Sequence, residues 1–308
     1  MKTYKVYIYG AGYRYNKLFV HLHRFKEQMS ILGIITTGKP QYKKMDSYPC
    51  FCVDEVDLHE ADFIIIAIDD WKPIFRILKE RNVQEEKIVR SCAFELPYFN
   101  LDDYLELKQS KVTILSNYCL GGVLYKKLGL EQLSPTINAF CTTEHYYEFI
   151  ENYEKYLLCD MKGIECESIS EPLKIGEMFA SSPRGIIDDK VEWVFNHDVY
   201  GEKAVNRWNE KRKKVNMKNI AILKTIFSDE DAYRFDKLNV EKKIGFYYKD
   251  LGLKSVFYCP EWYDQSIRDR YASYFVGFAI DRVTDDEKYY RNIDWIRFLL
   301  GKEDYIRE

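Results

Sequence analysis

Apolar and polar positions along this chain switch repeatedly between a two-residue and a helical period. Tyr4-Lys5-Val6-Tyr7-Ile8-Tyr9 reads as a strand running into Gly10-Ala11-Gly12, and a helix follows over residues 14–27. The pattern then predicts strands at 31–36, 49–53 and 62–68, a helix at 71–81 and a strand at 87–90. Asp62 to Ile68 is a near-continuous apolar run, the signature of a parallel strand covered on both faces. Leu101 to Lys108 predicts a connecting helix. Val112-Thr113-Ile114-Leu115-Ser116-Asn117 then repeats the opening logic, entering a second glycine turn at Gly121-Gly122. The pattern gives strand 111–116 before that turn and helix 121–128 after it, then strand 136–140 and helix 144–158. The last has Thr142 or Thr143 as its cap and a stripe of Tyr146, Phe149, Ile150, Tyr153 and Leu157. Residues 163–190 read as irregular. Strand 191–196, helix 201–214, strand 219–224, helix 229–237, strands 242–247 and 254–258, and helices from about 261 and 285 complete the order.

Strands alternating with helices predict an α/β protein with two α/β domains. Residues 1–107 form a Rossmann-like parallel sheet, and residues 108–308 a second Rossmann-like α/β domain. The length of 308 residues and an apolar content of 46% are enough for two cores. The net charge of −3 gives no bulk basic field for nucleic acid. No stretch reaches the ~18 apolar residues of a membrane span. Met1-Lys2-Thr3 leads into a strand and not into a signal-peptide core, so a cytoplasmic location is expected. The eight Cys are then expected as reduced thiols. Cys50-Phe51-Cys52 is not a metal spacing, and His21 and His23 point different ways on a helix, so no metal site is expected. The 26 Tyr suit half-buried surfaces and a sugar-binding wall, although composition alone also accounts for them. Cofactor identity and oligomeric state stay open.

A strand entering a glycine turn and a helix directs backbone N–H groups at whatever lies above the strand end. Gly10 and Gly12 are therefore candidate ligand-contacting residues. The third glycine of a dinucleotide fingerprint is missing, with Tyr15 or Asn16 in its place. Ile34-Ile35-Thr36-Thr37-Gly38 offers no acidic partner for a ribose. A structural turn is the stronger reading than NAD binding. Tyr48-Pro49-Cys50-Phe51-Cys52-Val53-Asp54-Glu55-Val56, followed by Ala61 to Ile68, resembles the small Rossmann-type domain of bacterial sugar O-acyltransferases and related surface-polysaccharide proteins. That resemblance implies a domain able to hold a nucleotide sugar.

The second half carries a sharper likeness. Ser116-Asn117-Tyr118-Cys119-Leu120-Gly121-Gly122, Tyr125, Leu128-Gly129-Leu130 and Ser134-Pro135-Thr136 form one block; His197, Trp208, Lys211, Lys214 and Asn216 form another. Over roughly residues 111–250 the chain resembles the family labelled exopolysaccharide biosynthesis protein, domain of unknown function nineteen-nineteen. The resemblance implies a role in cell-surface polysaccharide synthesis. Leu120 replaces the family's usual Trp. Lys211 and Lys214 stand where Arg is usual, so a forked donor becomes a point charge.

Asn117 and His197 are the candidate catalytic residues. Each follows an apolar strand, and ligands of open α/β sheets bind outside the carboxyl ends of strands. Asn117 brings a donor and an acceptor, against the alternative of a turn-forming amide. His197 suits acid–base work or a phosphate contact, against an ordinary structural hydrogen bond. Candidate ligand-binding residues are Ser116, Cys119, Gly121, Gly122, Trp208, Lys211 and Lys214. Cys119 precedes a helix, which favours a thiolate, but no base is fixed beside it, so an inert buried thiol is the expectation. Gly121 and Gly122 either admit a ligand to the backbone or let the helix pack closely. On helix 201–214 the face of Lys203, Arg207, Lys211 and Lys214 opposes Val205 and Trp208; it suits an anionic glycan or plain solvent.

The expected geometry makes strands 111–116 and 191–196 parallel members of one sheet. Asn117, Gly121, Gly122 and His197 would line one pocket, with Tyr118, Tyr125 or Trp208 as apolar walls and a lysine at the rim. The function expected from all this is transfer chemistry on a sugar nucleotide or glycan precursor. The alternative is a non-catalytic nucleotide-sugar-binding or assembly protein. An NAD-dependent sugar oxidoreductase is weaker, since no Tyr-x-x-x-Lys pair follows a complete fingerprint.

Overall fold

A computed structural model describes residues 2–117, 119–164, 182–195, 197–198, 200–259 and 292–306. Tyr118 and the helices expected from about 261 and 285 lie outside those residues. The chain divides into two compact units, Met1–Gln109 with Lys127–Leu130, and Ser110–Lys126 with Glu131–Glu308.

The first unit contains β1 (Tyr4–Tyr9), α1 (Tyr13–Leu22), β2 (Met29–Thr36), β3 (Lys44–Met45), β4 (Tyr48–Cys52), β5 (Phe63–Ile66), α2 (Trp71–Glu80) and β6 (Ile88–Arg90), and ends in α3 (Leu101–Ser110). Its sheet has the order β3-β4-β2-β1-β5-β6. Every pair is parallel except β3 with β4, an edge hairpin. Counted over the parallel strands alone, the order is third, second, first, fourth, fifth, which is the dinucleotide-fold order with its switch point between β1 and β5. β5 lies between β1 and β6 and all four of its residues are buried, as its unbroken apolar run requires.

The turn after β1 shows why glycine stands there. Gly10 has φ +114°, and a Cβ on it would lie 2.6 Å from Ile68 Cγ1 and 2.8 Å from the Ala67 carbonyl. Gly12 caps α1, and a Cβ there would meet nothing within 4 Å. Arg14, in the first turn of α1, pairs with Asp69 after β5 and reaches Glu95 at 3.3 Å. An ion pair thus ties the first turn of α1 to the loop after β5. Gly10→Ala should destabilise the protein by about 2 kcal/mol or more, since both the backbone region and the space are wrong for a side chain. The denaturant midpoint reads this directly; an unchanged midpoint would refute it.

The second unit contains β7 (Thr113–Ser116), most of α4 (Leu120–Leu128), α5 (Thr143–Glu151), α6 (Tyr153–Leu158), β8 (Met161–Ile164), β9 (Arg184–Ile187), β10 (Val191–Val194), α7 (Gly201–Arg212), β11 (Ile220–Thr225), α8 (Asp229–Asp236), β12 (Lys242–Tyr247), β13 (Val256–Tyr258) and a short helix Trp295–Leu299. It is again α/β. Four parallel strands run in the order β13-β12-β11-β7, and a separate antiparallel sheet runs β10-β9-β8.

Four expectations change here. The strand read at 191–196 is β10, and it does not join β7. It pairs antiparallel with β9 through a turn in which Asp188 and Asp189 have φ of 52° and 51°. Two left-handed residues give the twist of a tight hairpin, and aspartate tolerates that region. The stretch read as irregular at 163–190 thus contains β9 and the end of β8. The strand expected at 136–140 reduces to one antiparallel bridge, Phe140 with Val194. The helix expected at 144–158 breaks at Asn152, whose side chain donates to the Glu148 carbonyl at 3.1 Å and takes the backbone out of helical angles. Thr142 is the cap of its first half, accepting from the His145 N–H.

No helix among the described residues is long and apolar enough to cross a membrane. Among the same residues no group of three or more His, Cys, Asp or Glu is placed to hold a metal ion.

Candidate functional site

β7 lies at one edge of its sheet among the described residues, and its outward polar groups are met by side chains. The Tyr125 hydroxyl accepts from Ile114 N–H at 2.9 Å and donates to the Val112 carbonyl at 3.0 Å. Thr136 Oγ1 accepts from Ser116 N–H at 3.1 Å and lies 2.9 Å from Ser134 Oγ. An open strand edge would otherwise carry unpaired backbone groups. The Tyr125 and Ser134-Pro135-Thr136 parts of the sequence block therefore close the edge of β7. Tyr125 is fully buried and is not a pocket wall.

The turn after β7 is tied down in the same way. Ser116 Oγ accepts from Gly121 N–H at 3.3 Å, and a Cβ on Gly121 would lie 2.7 Å from that oxygen. A Cβ on Gly122 would lie 3.1 Å from Ile137 Cγ2. Close packing accounts for both glycines, and Ser116 is a buried strut for the turn.

Asn117 is also buried, at 1% exposure. Its Oδ1 accepts from Thr225 N–H, 3.2 Å away at the carboxyl end of the neighbouring strand β11. A backbone donor requires an oxygen, so this bond fixes which way the amide faces. Its Nδ2 then has no hydrogen-bond partner, and neither has the buried Thr225 hydroxyl. A buried polar group left unpaired costs about 1–3 kcal/mol, so two of them on residues at the ends of neighbouring strands call for a reason.

Two residues beyond Asn117, which places the Cα atoms within about 7.6 Å, stands Cys119. Its carbonyl accepts from Val123 N–H at 3.0 Å, so the residue caps the first turn of α4. Its Sγ lies 3.2 Å from His197 Nε2. His197 thus comes to the β7 turn although β10 belongs to another sheet. The loop that carries it is anchored through the next residue: Asp198 accepts from Arg207 of α7 at 2.5 Å, and the guanidinium lies over the Phe195 ring. One oxygen of Asp198 and one nitrogen of Arg207 remain buried and unpaired. A thiol at a helix N-terminus beside an imidazole is the setting that favours a thiolate.

The remaining candidates do not converge on this point. Trp208 is 1% exposed and packs on Trp193, with ring centroids 5.0 Å apart, so it belongs to the core and not to a pocket wall. Lys211 donates to Gln132 at 3.2 Å, and Lys214 lies 3.8 Å from Glu131. Burial, with Arg207 and Lys214 close by, pushes the Lys211 ammonium down to about 8. Asn216 donates its amide to the carbonyls of Ser110 and Lys111 at the opposite, amino end of β7. Gly10 and Gly12 belong to the first unit.

Sequence reading missed Thr225 and a buried ion pair beside it. Lys224 and Asp231, with side chains 0% and 4% exposed, meet at 2.7 Å. Asp231 also accepts from the Tyr147 hydroxyl at 2.7 Å and from Phe227 N–H at 2.9 Å. The signal available was a lysine inside the apolar run Ile220-Ala221-Ile222-Leu223-Lys224, which needs a buried partner.

Residues 2–89 match a family described as C2185-like, N-terminal. Residues 91–300 match the family described as Domain of unknown function (DUF1919). A protein of Haemophilus influenzae described as uncharacterized is 22% identical over 198 residues, which cover 63% of this chain and 86% of that protein. The second match takes in the β7 turn, the His197 loop and the whole parallel sheet above, well over half of the chain, and so the chain belongs to the DUF1919 family.

Proposed function

We propose that this chain is a transferase acting on a sugar nucleotide or glycan precursor of cell-surface polysaccharide synthesis. Its reaction centre is the carboxyl edge of the second parallel sheet. The observation that carries the reading is the approach of Cys119 Sγ and His197 Nε2 to 3.2 Å at the end of β7. A nucleophile and a base within hydrogen-bond reach, at a strand end and a helix N-terminus, form the minimal apparatus of group transfer. The unpaired Nδ2 of Asn117 and hydroxyl of Thr225 suit the hydroxyls of a sugar. The polysaccharide setting rests on the resemblance of the Ser116–Gly122 and His197–Asn216 blocks.

A thermal-shift screen of the full chain against UDP-, GDP- and CMP-sugars tests it. A ligand at ~100 times its Kd stabilises the native state by about 2.7 kcal/mol. At least one sugar nucleotide should raise the melting temperature, and His197→Ala should keep that shift while abolishing turnover. Absence of a shift with every sugar nucleotide would remove the reading. A shift with turnover unaffected by His197→Ala would favour a binding protein.

A further inference from the structure

We propose that Cys119 is a covalent nucleophile that carries an acyl group as a thioester, with His197 as its base and acid and Asn117 as the donor that receives the oxyanion. This rests on the transferase reading and narrows it: the donor is an acyl thioester or other activated acyl ester, and the acceptor is a sugar hydroxyl.

Three features lie close together: Asn117 stands two residues before Cys119, and His197 reaches the Cys119 sulfur. Cys119 caps the first turn of α4, a nine-residue helix, so the helix dipole favours negative charge on its sulfur. His197 Nε2 lies 3.2 Å away, close enough to take the thiol proton. Asn117, 1% exposed, has its oxygen committed to Thr225 N–H and its Nδ2 without an acceptor. An acceptor is what that nitrogen lacks, and a tetrahedral oxyanion is an acceptor that exists only during acyl transfer. A thiolate also suits a carbonyl carbon, and a thioester keeps the acyl group activated for attack by an alcohol.

The steps balance. His197 takes the thiol proton, giving thiolate and imidazolium. The thiolate adds to the donor carbonyl and forms the C–S bond. The intermediate collapses with cleavage of the bond to the donor's leaving group, which receives the proton from His197. The acceptor hydroxyl then attacks the thioester and gives its proton to His197. The new ester bond forms, the Cys119 C–S bond breaks, and the thiolate–imidazolium pair returns. No oxidant or reductant is needed.

The test uses the full chain and two probes. Iodoacetamide alkylates thiolates without forming an oxyanion; acetyl-CoA and p-nitrophenyl acetate acylate through one. Adducts are located by peptide mass spectrometry, with Cys50, Cys52 and Cys159 as internal references. At about pH 6, well below the ordinary thiol range, wild-type Cys119 should alkylate roughly tenfold or more faster than in His197→Gln. It should also gain a hydroxylamine-labile acetyl group ahead of the reference thiols. Asn117→Ala should alkylate at the wild-type rate yet acetylate roughly tenfold or more slowly, a split that a purely structural asparagine would not produce. Equal alkylation in wild type and His197→Gln, or a Cys119 that stays unacetylated with both donors, overturns the proposal. A sugar-nucleotide shift without an acyl adduct sinks the thioester and leaves the transferase reading. An adduct without any such shift keeps the thioester and removes the sugar nucleotide.

Discussion

Asp231→Ala should cost the second unit about 3–5 kcal/mol, because it strands the Lys224 ammonium in the core. Lys224 is fully buried, and Asp231 is its only carboxylate contact among the described residues, at 2.7 Å. Asp231 also accepts from the Tyr147 hydroxyl and Phe227 N–H, so three donors lose this carboxylate together, while Tyr147 keeps the backbone carbonyl of residue 231 and Lys224 that of Thr225. The pH dependence has a definite sign. Burial already lowers the Lys224 ammonium from its ordinary range, even against the pull of Asp231. Without the carboxylate it should fall further. The native state then binds fewer protons than the unfolded chain over a wider range below the ordinary lysine value, so stability rises with pH there. The deficit of Asp231→Ala should therefore shrink toward alkaline pH. Lys224→Met combined with Asp231→Asn removes both charges and should recover most of the loss, since a neutral pair leaves no stranded ion. Urea unfolding of the three variants measures this. An Asp231→Ala midpoint equal to wild type, or a deficit that grows with pH, would refute it.

Trp208→Ala should destabilise by about 3–5 kcal/mol. The indole is buried against Trp193 at 5.0 Å, Phe149 at 6.1 Å and Phe195 at 6.3 Å, in the aromatic centre of the second unit. Removing it opens a cavity that rigid rings cannot collapse into. A tryptophan on a pocket wall would behave differently, costing ligand affinity and little stability. A second effect follows from its position on α7. The adjacent Arg207 holds Asp198, next to His197, and lies over Phe195. Loosening α7 should weaken the hold on the histidine loop, so Trp208→Ala should also slow alkylation of Cys119. Trp208→Phe fills most of the space and should show both effects in reduced form. A variant with normal stability and selectively weakened ligand binding would restore the pocket-wall role.

The tyrosine content takes on a different meaning in the fold. Tyr125 closes the edge of β7, Tyr147 holds Asp231, and the Tyr146 hydroxyl donates at strand ends, 2.9 Å from the Leu223 carbonyl. Each is buried, with its ring in the core and its hydroxyl hydrogen-bonded there. Composition suggested half-exposed surfaces; burial with a bonded tip is the other way to use the same side chain.

Sequence alone determined what depends on neighbours within a few residues. The alternation of strands and helices, the fully covered β5, a tight glycine turn at Gly10, a threonine cap at 142 or 143 and the position of Cys119 at a helix start all follow from local period, backbone sterics or capping. Tertiary structure decided everything that depends on pairing over distance. A strand's apolar pattern does not name its partner, so β10 read as a member of the sheet of β7 when it closes a hairpin with β9. Amphipathic spacing does not say whether a tryptophan faces a core or a cavity, and packing against Trp193 settled that for Trp208. Cys119 and His197 are 78 residues apart and lie on segments of different sheets; only the docking of the His197 loop, held by Arg207, brings imidazole to thiol. Local periodicity fixes elements because their hydrogen bonds close within one segment, whereas a site made by long-range contacts exists only once the layers have packed.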